Sequence, residues 1–335
     1  MARKVPVIDM RKVDGFADNL VKACEEWGCF RIVNHGVSMD LMTEMKSVAA
    51  SLFDLPEEIK KRTVSGELGM GYVGRNLAGP YFEGFSIDEI SSPNEFCDRL
   101  DVSTHQREII CKYIQSIRDL AGLLGRMLME GSGLTGDLFE GWCCQLRMNK
   151  YYFESESLGS TGVSEHSDPT FLTILQDDED VNGLQIVDKI SGEFIPFDPI
   201  PGTLAINIGD IGKAWSNGRY CNVKHKVMCT KANTRYSIAL FMLGPNDKKV
   251  EAPSKLVDSE HPRLYVPIDV EEYRRVRLTT RLRTGGALEL FNTSSIGHSM
   301  DSEDYSTEMR HEVAMDSASA SSIEINLDHA RKPCH

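Results

Sequence analysis

The stretch QLRMNKY at residues 145–151 alternates polar and apolar side chains along its whole length. Its odd positions are polar, and its even positions are mostly apolar; the polar ones are Gln145, Arg147, Asn149 and Tyr151. Such an alternation predicts a β-strand whose two faces meet different surroundings. Because helices are predicted around this strand region, we expect the polar face to point into a barrel lumen and the helices to cover the apolar face.

The chain around this strand divides into three parts. Residues 1–140 are predicted to be mainly helical, and the clearest helix follows a capping box formed by Ser103 and Gln106. Residues 141–290 contain short strands with glycine and proline turns, followed by a charged helix, and form the predicted catalytic core. Residues 291–335 are rich in serine, hold eight Asp/Glu against three Lys/Arg and lack periodicity, so we expect a disordered acidic tail.

Composition excludes several classes of protein. The 335-residue chain is 41% hydrophobic, a value typical of a globular protein. Its longest apolar run, at 238–243, falls far short of the roughly 20 residues that a membrane helix needs. The net charge of −13 argues against a nucleic-acid partner. Nine cysteines without metal-type spacing and without an export signal favour reduced thiols in the cytoplasm.

The first candidate site is the pair His166 and Asp168. Residues two apart on a strand point the same way, so the imidazole and the carboxylate converge. Two histidines and one carboxylate are the usual ligands of non-haem iron(II). Of the nine histidines, His225 is the remaining candidate on a predicted strand, because the others lie in turns, helix starts or the tail. Taken singly, each signal also fits a core histidine or a surface turn.

A second pair, Arg235 and Ser237, follows His225 by ten residues. Both residues lie on one face of a predicted strand, together with Ala239 and Phe241. An arginine on the inward face of a buried strand is costly unless an anion accompanies it. Its planar fork suits a carboxylate, to which the Ser237 hydroxyl adds a donor. The alternative is a structural pair between Arg235 and an acidic residue.

With these motifs the chain resembles the plant soluble 2-oxoglutarate- and iron(II)-dependent dioxygenases over residues 5–290. The segments VPVID (5–9) and WGCFRIVNHG (27–36) resemble the N-terminal signatures of that family. The resemblance implies a double-stranded β-helix, a jelly roll with a mainly β core in an α+β chain, flanked by N-terminal and C-terminal helices. It also implies iron(II) held by His166, Asp168 and His225, with O2 as the oxidant and ascorbate as a supporting reductant.

The same resemblance assigns the co-substrate site. Arg235 and Ser237 match the clamp for the distal carboxylate of 2-oxoglutarate. Asn149 and Tyr151 match an Asn-Tyr-Tyr-Pro stretch whose asparagine and second tyrosine contact that co-substrate, although Tyr152 or Phe153 stands here in place of the proline. Further segments, such as FCDRLD (96–101) and LGP (243–245), resemble the clade that includes the dioxygenases for auxin oxidation.

This clade implies that indole-3-acetic acid is oxidised to 2-oxindole-3-acetic acid, with release of succinate and CO2. The same chemistry on another plant hormone or specialised metabolite is the alternative. A zinc hydrolase would give Arg235 and Ser237 no role, and a catalytically silent binding protein would not need the intact triad. The partner is thus a small aromatic acid, and the oligomeric state stays open.

Residues that contact the substrate are predicted from aromatic and charge patterns. An aromatic cluster follows the N-terminal helices and is a candidate pocket wall, or else a satellite hydrophobic cluster; it contains Tyr72, Tyr81, Phe82 and Phe85. Phe241 shares the predicted face of Arg235. Arg147 shares the polar face of Asn149 and Tyr151, so it is a candidate for the substrate carboxylate or for an acidic residue inside the barrel.

Overall fold

The computed structural model describes residues 4–12, 15–64, 71–75, 79–88 and 93–296. Its helices are α1 Phe16–Glu26, α2 Met39–Phe53, α3 Glu57–Lys60, α4 Pro93–Arg99, α5 Thr104–Gly131, α6 Asp210–Trp215, α7 Val270–Thr280, α8 Gly286–Glu289 and α9 Thr293–Ile296. Its strands are β1 Val7–Asp9, β2 Cys29–Val33, β3 Tyr72–Val73, β4 Phe82–Asp88, β5 Trp142–Tyr151, β6 Thr161–His166, β7 Leu172–Gln176, β8 Leu184–Val187, β9 Phe194–Pro196, β10 Thr203–Ile208, β11 His225–Met228 and β12 Arg235–Pro245.

The long helix α5 begins where its cap predicts. The Ser103 hydroxyl accepts from the backbone N–H of Gln106 at 3.2 Å, and the Gln106 side chain accepts from the Ser103 N–H at 2.9 Å. This reciprocal pair satisfies two N–H groups that a helix start leaves without partners. The predicted helix is therefore confirmed.

Two β-sheets form the barrel. The larger has eight strands in the order β1-β2-β10-β7-β12-β5-β4-β3, and the smaller has four in the order β6-β11-β8-β9. Neighbouring strands are antiparallel except for β1 and β2. Strand β12 lies between β5 and β7, so the predicted polar strand and the Arg235 strand are direct neighbours.

Alternation along β5 separates two apolar cores. Met148 belongs to the core between the large sheet and the helices, where it is fully buried. Tyr151 belongs to a second, inner core that contains residues of both sheets, such as Cys29 and Ile186. The structure thus has three layers: helices, large sheet and small sheet. The polar face of β5 points into the lumen between the sheets, as the alternation predicts.

The N-terminal part of the chain contributes strands as well as helices. β1 and β2 extend the large sheet at one edge, and β3 and β4 extend it at the other. The large sheet therefore crosses the predicted boundary at residue 140, because β2 pairs with β10 and β4 pairs with β5. In the described residues, none of the helices has the length and apolar content that a bilayer crossing requires.

Ordered contacts continue past the predicted boundary at residue 290. The Phe291 carbonyl accepts from the Val266 N–H at 3.0 Å, and the Phe291 ring lies 5.7 Å from that of Tyr273. The Thr293 N–H donates to the Leu264 carbonyl at 2.9 Å. Residues 291–296 are thus part of the fold, whereas the rest of the expected tail, 297–335, lies outside the described residues.

A chain that ends at residue 296 is expected to keep wild-type turnover and melting temperature, because every candidate site residue lies before 242. A chain that ends at 290 loses the partly buried Phe291 and should be less stable by about 1–2 kcal/mol. Thermal unfolding and succinate yield measure both effects. A raised KM for the organic substrate in the 296-residue chain would instead show that the missing tail borders the pocket.

Candidate active site

Three potential metal ligands converge at one end of the lumen. His166 ends β6 and lies directly opposite His225, the first residue of the neighbouring β11. Asp168 follows His166 by two residues, and its Oδ1 lies 3.6 Å from His166 Nε2 and 3.7 Å from His225 Nε2. One ligand atom from each residue lies within 4.8 Å of the others. This spacing fits a single ion between them.

Hydrogen bonds orient each of the three side chains. The Nδ1 atoms of His166 and His225 face the carbonyls of Ser164 and Val223 at 2.8 and 3.2 Å, an arrangement that places the proton on Nδ1 and leaves Nε2 for a metal. The Thr173 hydroxyl donates to Asp168 Oδ2 at 2.7 Å. Asp168 therefore turns Oδ1 toward the histidines.

The protonation states also suit metal binding. Burial, and then the neighbouring His225, lower the pKa of His166 well below its usual range, so its imidazole is neutral at pH 7. Burial alone would raise the pKa of Asp168, but the two imidazoles and the Thr173 hydroxyl outweigh that effect and lower it. Neutral imidazole and ionised carboxylate are the forms that coordinate a metal.

A buried guanidinium lies on the lumen side of β12. Arg235 is 2% exposed and lies opposite Tyr151 on β5, with its guanidinium carbon 4.9 Å from the Tyr151 ring centroid. Two residues on, the Ser237 hydroxyl accepts from Asn149 Nδ2 at 3.1 Å. Strand pairing thus brings together all four residues that the resemblance assigns to 2-oxoglutarate.

This guanidinium fits a carboxylate ligand. Among the described residues, no hydrogen-bond partner reaches Nε or Nη1 of Arg235, although both atoms are buried. A buried charge without a partner is strongly unfavourable. The described part of the chain also shows no ion pair for Arg235, so the alternative of a structural pair finds no support there. A ligand carboxylate would supply the missing acceptors.

The structure corrects two of the predicted pocket residues. Tyr72 and Phe85 pair across the β3–β4 hairpin and belong to the core under the helices, on the far side of the large sheet from the lumen. The Phe85 ring packs on Phe53 at 5.0 Å. These two residues are thus part of the main core rather than of a pocket wall or a satellite cluster, because alternation along β4 turns Phe85 away from the lumen.

The other candidates lie on the lumen side. Phe82 opposes Tyr151 and belongs to the inner core, against which Tyr81 also packs. Phe241 shares the β12 face of Arg235 and Ser237 and is partly buried. Arg147 donates from Nε to the Asn149 side-chain oxygen at 3.3 Å, and its guanidinium carbon lies 5.8 Å from the Phe82 ring centroid.

Two further lumen residues were missed from the sequence. Thr173 orients Asp168, and Asn207 lies opposite Thr173 on β10. Asn207 is 2% exposed, and its side-chain oxygen has no hydrogen-bond partner among the described residues. Each is a polar residue with an apolar neighbour on either side in its strand, which is the signal that would have identified it.

Comparison with known proteins agrees with this geometry. Residues 142–244 match the 2OG-Fe(II) oxygenase superfamily, and residues 5–105 match the N-terminal region described as non-haem dioxygenase in morphine synthesis. The 2-oxoglutarate-dependent dioxygenase DAO of Oryza sativa is 44% identical over 293 residues, which cover 85% of this chain and 98% of that protein.

Solved structures show the same likeness. The crystal structure of dioxygenase for auxin oxidation in rice superposes with a TM-score of 0.80 at 42% identity, over 87% of this chain and all of that one. Dioxygenase for auxin oxidation 1 from Arabidopsis thaliana, in a binary complex with 2-oxoglutarate, gives a TM-score of 0.75 at 49% identity, over 78% of this chain and all of that one. The predicted jelly-roll fold is thereby confirmed.

Proposed function

The chain belongs to the 2OG-Fe(II) oxygenase superfamily, and on that premise we propose that it oxidises indole-3-acetic acid to 2-oxindole-3-acetic acid. As a member of this family it is a 2-oxoglutarate- and iron(II)-dependent dioxygenase. Support for the substrate comes from the rice and Arabidopsis relatives, which are dioxygenases for auxin oxidation and of which this chain covers nearly the whole length.

His166, Asp168 and His225 are the proposed iron(II) ligands, and the observation that carries this assignment is their convergence on one point. When bound, iron(II) and 2-oxoglutarate supply the activation of O2, with 2-oxoglutarate converted to succinate and CO2. The chain's own part is to hold three ligand atoms on one face, which leaves coordination positions open on the other.

Arg235 and Ser237 are the proposed anchors for the distal carboxylate of 2-oxoglutarate. Arg235 contributes a planar fork of donors, and the Ser237 hydroxyl adds another. The Asn149 side-chain amide donates to the Ser237 hydroxyl, and the Tyr151 ring packs against the Arg235 guanidinium. Burial of these groups keeps water from competing for the carboxylate and fixes the direction in which 2-oxoglutarate extends toward the metal.

Turnover of indole-3-acetic acid is the direct test. Purified protein is incubated with iron(II), 2-oxoglutarate, ascorbate and air, and both succinate and a product about 16 mass units heavier are measured. Each product must depend on 2-oxoglutarate. Oxidation of another aromatic acid or plant metabolite from a screened panel, with none of indole-3-acetic acid, would refute the substrate but retain the chemistry.

The substrate carboxylate is proposed to pair with Arg147. Arg147→Leu should raise the KM for indole-3-acetic acid several-fold and the KM for its methyl ester much less, because the ester lacks the charge that a guanidinium binds. Steady-state kinetics with both compounds measure the difference. Equal effects on acid and ester would refute this role for Arg147.

Lys150→Leu is the matched control for Arg147→Leu. Lys150 is a cation on the same strand, but it lies on the opposite face and pairs with Asp54 at 2.8 Å on the helix side of the sheet. This variant removes the same charge from the protein without changing the lumen. We therefore expect the KM values of acid and ester to stay in the wild-type ratio.

A further inference from the structure

Asp210 is a buried carboxylate that belongs to neither the proposed ligand set nor the co-substrate site. It begins α6 and is 0% exposed. Both of its oxygens accept hydrogen bonds: Oδ1 from Ser167 at 2.7 Å and Asn222 at 2.6 Å, Oδ2 from Tyr273 at 2.5 Å and Arg277 at 2.8 Å. The side chain is thus the centre of a closed polar network.

The contacts of Asp210 reach every segment that carries a proposed metal ligand. Ser167 lies between His166 and Asp168, and Asn222 precedes His225 by three residues. The backbone N–H of Asp210 donates to the carbonyl of Asp168 at 2.8 Å. One residue therefore ties together the two segments that must stay in register for three ligand atoms to converge.

Arg277 connects the same network to α7, which lies outside the barrel. Besides its ion pair with Asp210, its Nη2 donates to the Ser167 carbonyl. The backbone N–H of Ser167 donates to the carbonyl of Arg283 at 2.9 Å. The polar groups of Ser167, in its backbone and its side chain, are therefore all held by Asp210 or by the chain in and just after α7.

A gain in folding stability alone does not explain why the ion pair between Asp210 and Arg277 is buried. Burying two charges costs about as much free energy as their attraction returns, and apolar replacements of buried pairs are often neutral or stabilising. Their hydrogen bonds, in contrast, are directional and strong, so they specify a geometry. In this network the hydrogen bonds fix the conformation of the backbone between and beside the proposed ligands.

We propose that Asp210 and Arg277 are positioning residues that fix the spacing of His166, Asp168 and His225, so that α7 sets the affinity of the metal site. This inference rests on the proposed ligand assignment. Groups that orient metal ligands without touching the ion typically change affinity by about 10–100-fold.

The test compares the affinity for Mn2+, a stand-in for iron(II), in the wild type and in Asp210→Asn/Arg277→Met. The double variant removes both charges and so leaves no buried charge unpaired. Free Mn2+ is followed by its electron paramagnetic resonance signal, in the absence of co-substrate and turnover. We expect Mn2+ to bind about 10–100-fold more weakly to the folded variant.

Lys60→Met/Glu83→Gln is the matched control. Lys60 and Glu83 form a buried ion pair at 2.9 Å, and Glu83 also accepts from Tyr72 and Tyr152. Glu83 alternates with Phe82 along β4 and so faces the helices, away from the ligands. This variant should change the melting temperature and leave Mn2+ affinity within about twofold of the wild type.

Two outcomes would overturn the proposal: wild-type Mn2+ affinity in the Asp210/Arg277 variant, or an equal loss in both double variants, since that would reflect general loosening. If the double variant does not fold, Tyr273→Phe takes its place, because this change removes only one donor to Asp210. Tyr273→Phe should still weaken Mn2+ binding several-fold. Unchanged Mn2+ affinity in Tyr273→Phe would also refute the positioning role. An incorrect ligand assignment would give a different result, because His166→Ala would then bind Mn2+ with wild-type affinity.

Discussion

Alanine in place of His166, Asp168 or His225 is expected to reduce succinate formation to the background of the assay. Each change removes one of three ligand atoms that lie within 4.8 Å of one another. Since loss of an outer partner of a metal ligand already costs about 10–100-fold, loss of a ligand itself should exceed that range. Succinate release and Mn2+ binding are measured together on each purified variant.

These variants should remain folded, because the three side chains face the lumen and no apolar core is opened by their loss. His35→Ala is the matched control, since His35 is also a buried histidine but is not among the clustered ligands. Its turnover per folded molecule should stay near that of the wild type. Normal succinate formation by any one of the three ligand variants would contradict the assignment of that residue.

Arg235→Ala is expected to weaken 2-oxoglutarate binding by about 2–5 kcal/mol, which corresponds to roughly 30-fold to several thousand-fold in apparent affinity. Part of this loss arises because the distal carboxylate of 2-oxoglutarate would enter a buried site without its cation. Mn2+ binding should stay unchanged, since Arg235 lies on β12 and contacts none of the three proposed ligands in the described residues. Titration of 2-oxoglutarate in the succinate assay measures the effect.

A second co-substrate separates this role from a purely structural one. 2-Oxobutyrate lacks the distal carboxylate, so the wild type should strongly prefer 2-oxoglutarate over it, and Arg235→Ala should lose that preference. Arg235→Lys keeps the charge without the planar fork and should fall between the two. An unchanged preference in Arg235→Ala would show that the guanidinium does not hold the co-substrate.

Local patterns in the sequence predicted much of the site. The polar alternation at 145–151 indicated which side chains of β5 face the lumen, and the same period placed Arg235 and Ser237 together. His166 and Asp168 were predicted from a spacing of two on one strand, although β6 ends at His166 and Asp168 lies just beyond it. Each of these inferences depends only on neighbours along the chain, where backbone geometry alone relates one side chain to the next.

The faces of the aromatic residues near β4 could not be obtained in this way. Tyr72, Phe82 and Phe85 form one aromatic cluster in the sequence, yet the structure divides them between the helix side and the lumen side of the sheet. Which set faces the lumen depends on the register of β4 against β5, and a shift of one residue would exchange the two faces. That register is set when the two strands pair, so it cannot be obtained from the sequence of either strand alone.

The network around Asp210 illustrates the same limit at longer range. Arg277 lies 67 residues after Asp210, and Ser167 lies 43 residues before it. No period or motif relates these positions, because the bonds form only after α7 packs against the barrel. The sequence by itself thus determined the lumen faces of β5 and β12 and the residue types of the site. Only the tertiary structure decided which distant side chains hold that site in place, since such contacts require the folded chain to bring them together.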